Sequence, residues 1–200
     1  MSINLNSMSR FAPRRIYWRL LRAIGFRKLS WDLQFKAGVW GAKPRSPHTI
    51  NAVLELGKGG YLVEFGCGTG TLPLALPRNT FSKYEGYDIS EFAVKKATEI
   101  AQAKGYATYK FNQADMAEWK GTSGATLILA EECINYPSLT EVENFMRVCS
   151  RSLAPGGKIL VIIHDGIKHA ASLDVCRKTC NVVSDTVVDS RAFLVLSPKK

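Results

Sequence analysis

The stretch Tyr61–Leu76, YLVEFGCGTGTLPLAL, decides how the rest of the chain is read. An apolar run with one acid, Glu64, leads directly into glycines at alternate positions, Gly66, Gly68 and Gly70. A short apolar, helix-like segment follows. A strand that turns on glycine exposes bare backbone, because glycine tolerates positive φ and carries no side chain. The pattern predicts a ligand lying against that turn.

Outward from the turn, strand and helix patterns alternate. Strands are predicted at Tyr61–Phe65, Tyr84–Ile89, Ala107–Asn112, Thr126–Ala130 and Lys158–His164. Helices are predicted at Glu91–Ala103 and Thr140–Ser152, the second ended by the APGG turn. A further helix near Lys168–Cys180 precedes two β-rich runs, NVVSDTVV and RAFLVLS. Several strands are continuous apolar runs, as a parallel sheet covered on both faces requires. The expected class is α/β, a Rossmann-like doubly wound sheet whose ligands bind beyond the carboxyl ends of the strands.

Ahead of the sheet the chain changes character. Residues 1–60 hold eleven Lys/Arg against two acids, so nearly all of the net charge of +10 lies there. This separates a basic amino-terminal arm or lid, residues 1–59, from a near-neutral body, residues 60–200. MSINLNSMSRFAP is expected to be flexible. Arg14–Lys28 places Ile16, Leu20 and Ile24 at helical spacing, with Gly25 as a stop. In SWDLQFKAGVWG, Ser30 or Asp32 is expected to cap a short helix carrying Trp31 and Phe35. AKPRSPH reads as a proline-rich joint before a helix at Thr49–Leu56.

Composition excludes several classes. At 46 % hydrophobic and 22 % charged residues the chain is an ordinary globular one. No apolar run reaches the ~18 residues of a membrane span. Five scattered cysteines without a CxxC pair suggest reduced thiols and a cytoplasmic setting. With three histidines, no metal site is expected.

The dinucleotide fingerprint G-x-G-x-x-G needs a glycine where Thr71 stands. The spacing is instead G-x-G-x-G, which argues against NAD. Asp88, ending the second strand, lies at about the distance where an acid accepts hydrogen bonds from ribose hydroxyls.

VEFGCGTG, YEGYDIS, NQADM and LAPGGKILVI resemble, in order and spacing, the successive motifs of class I S-adenosylmethionine-dependent methyltransferases, over about Tyr61–Ile163. That resemblance implies a seven-stranded sheet with its last strand antiparallel, and S-adenosylmethionine as cofactor. It assigns Glu64, Gly66, Gly68 and Gly70 to the methionine part and ribose, and Asp88 to the ribose hydroxyls. Ile89 would lie on the adenine, Asp115 and Met116 at its edge and face, and Glu131 and Glu132 at the methyl-donor end. Cys67, often a cysteine in the family, reads as small packing.

Methyl transfer needs in-line alignment, and a hydroxyl acceptor also needs a base. The family segment resembled by AEECINYP often ends in Glu-His, where this chain has Asn135-Tyr136. His164, followed by Asp165, then becomes the best-placed base, with Glu132 and Tyr136 as further catalytic candidates. An Asn-Pro-Pro-Tyr segment is absent, and Cys133 follows glutamate rather than proline. Both absences weigh against a nucleic-acid base as acceptor. The expected acceptor is an oxygen or nitrogen of a small or saccharide-like molecule. RNA methylation through the basic arm and a non-catalytic cofactor-binding role are the alternatives. The arm itself has three readings: a lid closed by Trp31, Phe35 and Trp40, a membrane-surface helix, or a phosphate-binding segment. The segment WDLQFKAGVWG resembles the cap of small bacterial members of the family, which favours the lid.

Overall fold

The computed structural model describes residues 12–40, 44–106 and 108–199. The expected flexible first residues, part of the proline-rich joint, and Ala107 at the start of the third predicted strand lie outside them. Seven strands form one sheet: β1 (Tyr61–Phe65), β2 (Lys83–Asp88), β3 (Tyr109–Gln113), β4 (Ala125–Glu131), β5 (Leu153–His164), β6 (Asn181–Val188) and β7 (Arg191–Ser197). Their order is β3-β2-β1-β4-β5-β7-β6. The first five are parallel, and β7 inserts antiparallel between β5 and β6. The seven-stranded doubly wound sheet expected from the sequence is thus present, with its antiparallel strand.

The helices are α1 (Ala12–Ala23), α2 (Arg27–Lys36), α3 (Pro47–Gly57), α4 (Thr71–Leu74), α5 (Glu91–Ala103), α6 (Leu139–Ser152) and α7 (Ala170–Thr179). α5 begins where Ser90 accepts from the Ala93 amide, and α6 opens with a capping box between Ser138 and Glu141. Successive residues of β1 face opposite sides of the sheet. Val63 and Phe65 pack with Ile128, Phe145 and Cys176 under α6 and α7. Leu62 packs with Leu127, Leu129 and Val53 under α3. Phe65 lies edge-on to Phe145 at 4.7 Å and to Trp119 at 4.8 Å, directly below the glycine turn.

The helix predicted from Arg14 stops at Gly25, as expected, and Arg27 and Lys28 begin α2. Two local expectations are corrected. Neither Ser30 nor Asp32 caps α2, whose N-cap is Phe26. Ser30 is buried and donates to the Trp18 carbonyl at 3.1 Å, fastening α2 to α1. Asp32 instead accepts from Ser90 Oγ at 2.7 Å and the Phe92 amide at 3.2 Å. It therefore sits at the amino end of α5, where unpaired amides and the helix dipole favour an anion. APGG does not form a separate turn. It lies in the irregular start of β5, where the pairing with β4 shifts between Ala125 and Leu127.

Among the described residues, no helix is long and apolar enough to cross a membrane. Phe145 is 2 % exposed at the meeting of β1 and α6. Phe145→Ala is expected to lower the unfolding free energy by about 3–5 kcal/mol, read by urea denaturation.

Candidate active site

A cavity of about 520 Å³ opens above the carboxyl ends of β1, β2, β4 and β5. Its floor is the glycine turn. Gly66 and Gly68 have φ of +72° and +54°, values that strain any other residue. A Cβ on Gly66 would also come within 3.1 Å of the Glu131 carbonyl. Above the turn stand Trp31 and Phe35 from α2, and Trp40 beyond it.

Asp88 ends β2 and lines the cavity. One carboxylate oxygen accepts from the Gly68 amide at 2.9 Å, the other from the Ser90 amide at 2.8 Å. Each oxygen keeps a second lone pair. Burial raises this carboxyl from the ordinary 3.8 to about 6, against the opposing pull of the Ser90 and Gly68 amides. Ile89, Ala114 and Met116 supply apolar wall beside it. Asp115 also lines the cavity, with one oxygen 3.1 Å from Arg27 and the other accepting from the Ala117 amide.

Arg45 organises the other end. Pro47 at the first position of α3 and Ser46 as its N-cap fix the chain just ahead of that helix. The Arg45 side chain then reaches Glu64 at 2.7 Å, Thr71 Oγ1 at 2.9 Å and the nearer oxygen of Glu131. Glu131 also receives Thr49 Oγ1 at 3.1 Å and Arg191 at 3.0 Å. Tyr84 donates to the second oxygen of Glu64 at 2.6 Å. Burial alone would lower the Arg45 pKa, but the charges of Glu64 and Glu131 outweigh it and raise it. Burial, then the charge of Glu64, pushes the Tyr84 phenol well up.

Glu131, Glu132, Tyr136 and His164 all line the cavity, as do Gly66, Gly68, Asp88, Ile89, Asp115 and Met116. Glu132 has φ of +56°, a strained value for this residue, and accepts from the His164 amide at 2.7 Å. Burial raises its carboxyl pKa, opposed by that amide and by Arg191. Glu64 and Gly70 are not on the wall. Glu64 is fully buried beneath Arg45, and a Cβ on Gly70 would meet Phe111 and Ala97, so this glycine lets α5 and β3 close behind the turn. Cys67 lies in the wall, and burial pushes its thiol well above the ordinary range, which suits packing rather than nucleophilic attack.

Arg45 and Arg191 are among the cavity residues that escaped the sequence reading. Arg45 lay in the proline-rich joint, where no periodicity marks it. Arg191 begins β7 after a tight turn at Asp189 and Ser190, both with positive φ. The polar and charged turn residues of DS were the available signal.

These groups fit an adenosyl amino acid. A buried acid with free lone pairs suits a ribose diol, and apolar walls suit a planar base. The close glycine backbone leaves room for the chain between them, and the Arg45–Glu131 region can complement an amino-acid end. Residues 56–190 match a family described as a methyltransferase domain. The chain belongs to that family, among the class I S-adenosylmethionine-dependent methyltransferases, and its cofactor is S-adenosylmethionine.

A curated relative, ribosomal RNA small subunit methyltransferase C of Pseudomonas aeruginosa, is 26 % identical over 168 residues. The match covers 80 % of this chain, which spans about half (48 %) of that relative. Two solved structures share the fold. The TehB-like S-adenosylmethionine-dependent methyltransferase of Corynebacterium glutamicum gives a TM-score of 0.62 at 16 % identity, over 94 % of this chain and 99 % of that one. The N-methyltransferase NodS of Bradyrhizobium japonicum, in complex with S-adenosyl-L-homocysteine, gives 0.63 at 16 % identity, over 76 % and 86 %.

Arg45→Ala would leave two buried carboxylates without their shared cation. A loss of about 3–5 kcal/mol in denaturant unfolding is expected. Arg45→Lys should recover only part of it, since an ammonium cannot present the same fork. For Asp88, the folded chain holds the proton more tightly than the unfolded chain, so between pH 3.8 and about 6 stability falls as pH rises. Hydroxyl donors favour the ionised form, so cofactor affinity should rise through the same window. Below about pH 6 calorimetry should show affinity falling by up to about tenfold per unit. Asp88→Asn should bind more weakly and flatten that profile.

Proposed function

We propose that the protein moves the methyl group of S-adenosylmethionine to an oxygen or nitrogen of a small-molecule or saccharide-like acceptor. In this reading residues 1–59 form a lid and residues 60–200 carry the cofactor. The observation behind it is the aromatic wall beside Glu132 and His164. Trp31 meets Tyr136 edge-on at 4.7 Å and Trp40 at 5.8 Å, and the Arg22 guanidinium lies 5.4 Å from the Trp31 ring centre. Such rings offer apolar faces and polar tips together, which suits the alternating faces of a sugar or another small polar molecule.

Bound in the cavity, S-adenosylmethionine supplies an electrophilic methyl group on a sulfonium. The chain orients the acceptor, excludes water and removes the acceptor's proton. Glu132 is the proton acceptor in this reading. Its raised pKa makes it a stronger base than an ordinary carboxylate, and the His164 amide fixes its direction. Tyr136, whose phenol is raised chiefly by burial, stays neutral and can hold the acceptor by hydrogen bond. The five free cysteines support a reducing, cytoplasmic setting.

A second reading takes RNA as acceptor. It is favoured by the ribosomal RNA methyltransferase among the relatives and by the cationic amino-terminal segment. It expects affinity that falls steeply with salt.

Methyl-labelled cofactor, supplied with the protein and fractionated cell extract, tests both. Label in a saccharide or small-molecule pool, lost in Asp88→Ala, supports the first reading; label in RNA replaces it with the second. With the acceptor known, Glu132→Gln should lower kcat on the order of a hundredfold with cofactor affinity unchanged. An unchanged kcat would remove Glu132 from the base role.

A further inference from the structure

Helix α1 has two apolar faces, and only one is used within the described residues. Trp18 and Leu21 turn inward, 5 % and 9 % exposed, and Ser30 of α2 bonds the Trp18 carbonyl. On the outward side Ile16, Leu20 and Ile24 recur at four-residue spacing with Tyr17 beside them, all between 51 % and 66 % exposed. Phe26 and Leu29, at the start of α2, are 55 % and 44 % exposed. Ile16, Leu20 and Ala23 share a shallow depression with Arg19.

The charge around this face is one-sided. No acid occurs before Asp32, while Arg14, Arg15, Arg19 and Arg22 fall on the helix by position. Arg27 and Lys28, at the start of α2, are already paired with Asp115, Glu141 and Glu91. An amphipathic helix with exposed aliphatic and aromatic residues and a cationic flank suits the boundary between headgroups and acyl chains. We propose that α1 docks this protein on the surface of an anionic lipid bilayer, with Ile16, Leu20 and Ile24 in the acyl boundary and arginines at the headgroups.

Other occupants fit less well. A second copy packed about a two-fold axis would set an acid-free helix against itself, opposing cation to cation. RNA would meet the arginines, but its phosphates give the exposed aliphatic side chains nothing to bury against. The dock also has a bearing on the cavity. Arg22, on another side of α1, lies over the Trp31 and Tyr136 rings that line its wall. A bilayer holding α1 would therefore lie near the cavity's aromatic wall, where an amphipathic acceptor could arrive.

The test is sedimentation of the full chain with vesicles of phosphatidylcholine alone or mixed with phosphatidylglycerol. Binding is expected to the mixed vesicles and to weaken with salt. Leu20→Glu with Ile24→Glu alters only exposed positions, so thermal unfolding should hold while vesicle binding falls at least about tenfold. Arg19→Glu should weaken binding to the mixed vesicles alone. Several results would overturn the proposal: no binding of the unaltered chain to mixed vesicles, or binding that survives the double substitution. A dimer that the double substitution dissociates, without vesicle binding, would assign the face to a second copy. Binding to an RNA oligonucleotide that survives that substitution, again without vesicle binding, would assign the arm to nucleic acid.

Discussion

Glu64 and Glu131 stand on neighbouring parallel strands and reach for the same guanidinium. Glu64 has no exposed surface at all, so its charge can be held only by protein groups. Arg45 meets both acids, and Arg191, Thr49 and Tyr84 take up the remaining oxygens. This pairing binds the segment ahead of α3 to the sheet and sets one end of the cavity. A buried ion network of this kind adds little net stability over an apolar core, but removing one member is costly. Its contribution lies in position: it decides where β1, β4, α3 and the β6–β7 hairpin meet.

The other end of the cavity is anchored differently. Two acids from distant parts of the chain, Asp32 and Asp88, converge on the first turn of α5 through Ser90. Asp88 also holds the Gly68 amide. The glycine turn, the start of α5 and α2 thus share a few hydrogen bonds. A displacement of α2 therefore strains contacts on the same helix end that steadies the expected ribose site. The aromatic residues above the cavity and the acid below it are mechanically linked.

Much of this was legible in the sequence. β1 and α5 run as expected, from Tyr61 to Phe65 and from Glu91 to Ala103, because local signals suffice there: an apolar run stopped by glycine, and a serine cap before a helical repeat. The remaining helices and strands were found with ends displaced by a few residues, where caps and bulges depend on neighbours. Ser30 and Asp32 were misread for that reason. Both residue types favour N-caps, but the Trp18 carbonyl and the amino end of α5 claimed them. Glu64 was assigned to the cofactor through the family resemblance. Which group it meets depends on Arg45, nineteen residues earlier in a segment without periodicity, and only the fold brings them together.

The antiparallel insertion of β7 has a consequence for the order of assembly. Arg191 lies sixty residues beyond Glu131 along the chain, yet it completes the shell of that carboxylate. During synthesis β1, β2 and β4 emerge before the hairpin, so a nascent sheet must carry Glu131 with Arg45 as its sole arginine. The charge balance of the cavity is therefore complete only with β7 in place between β5 and β6, so it draws on the segment ahead of α3 and on the last strand alike.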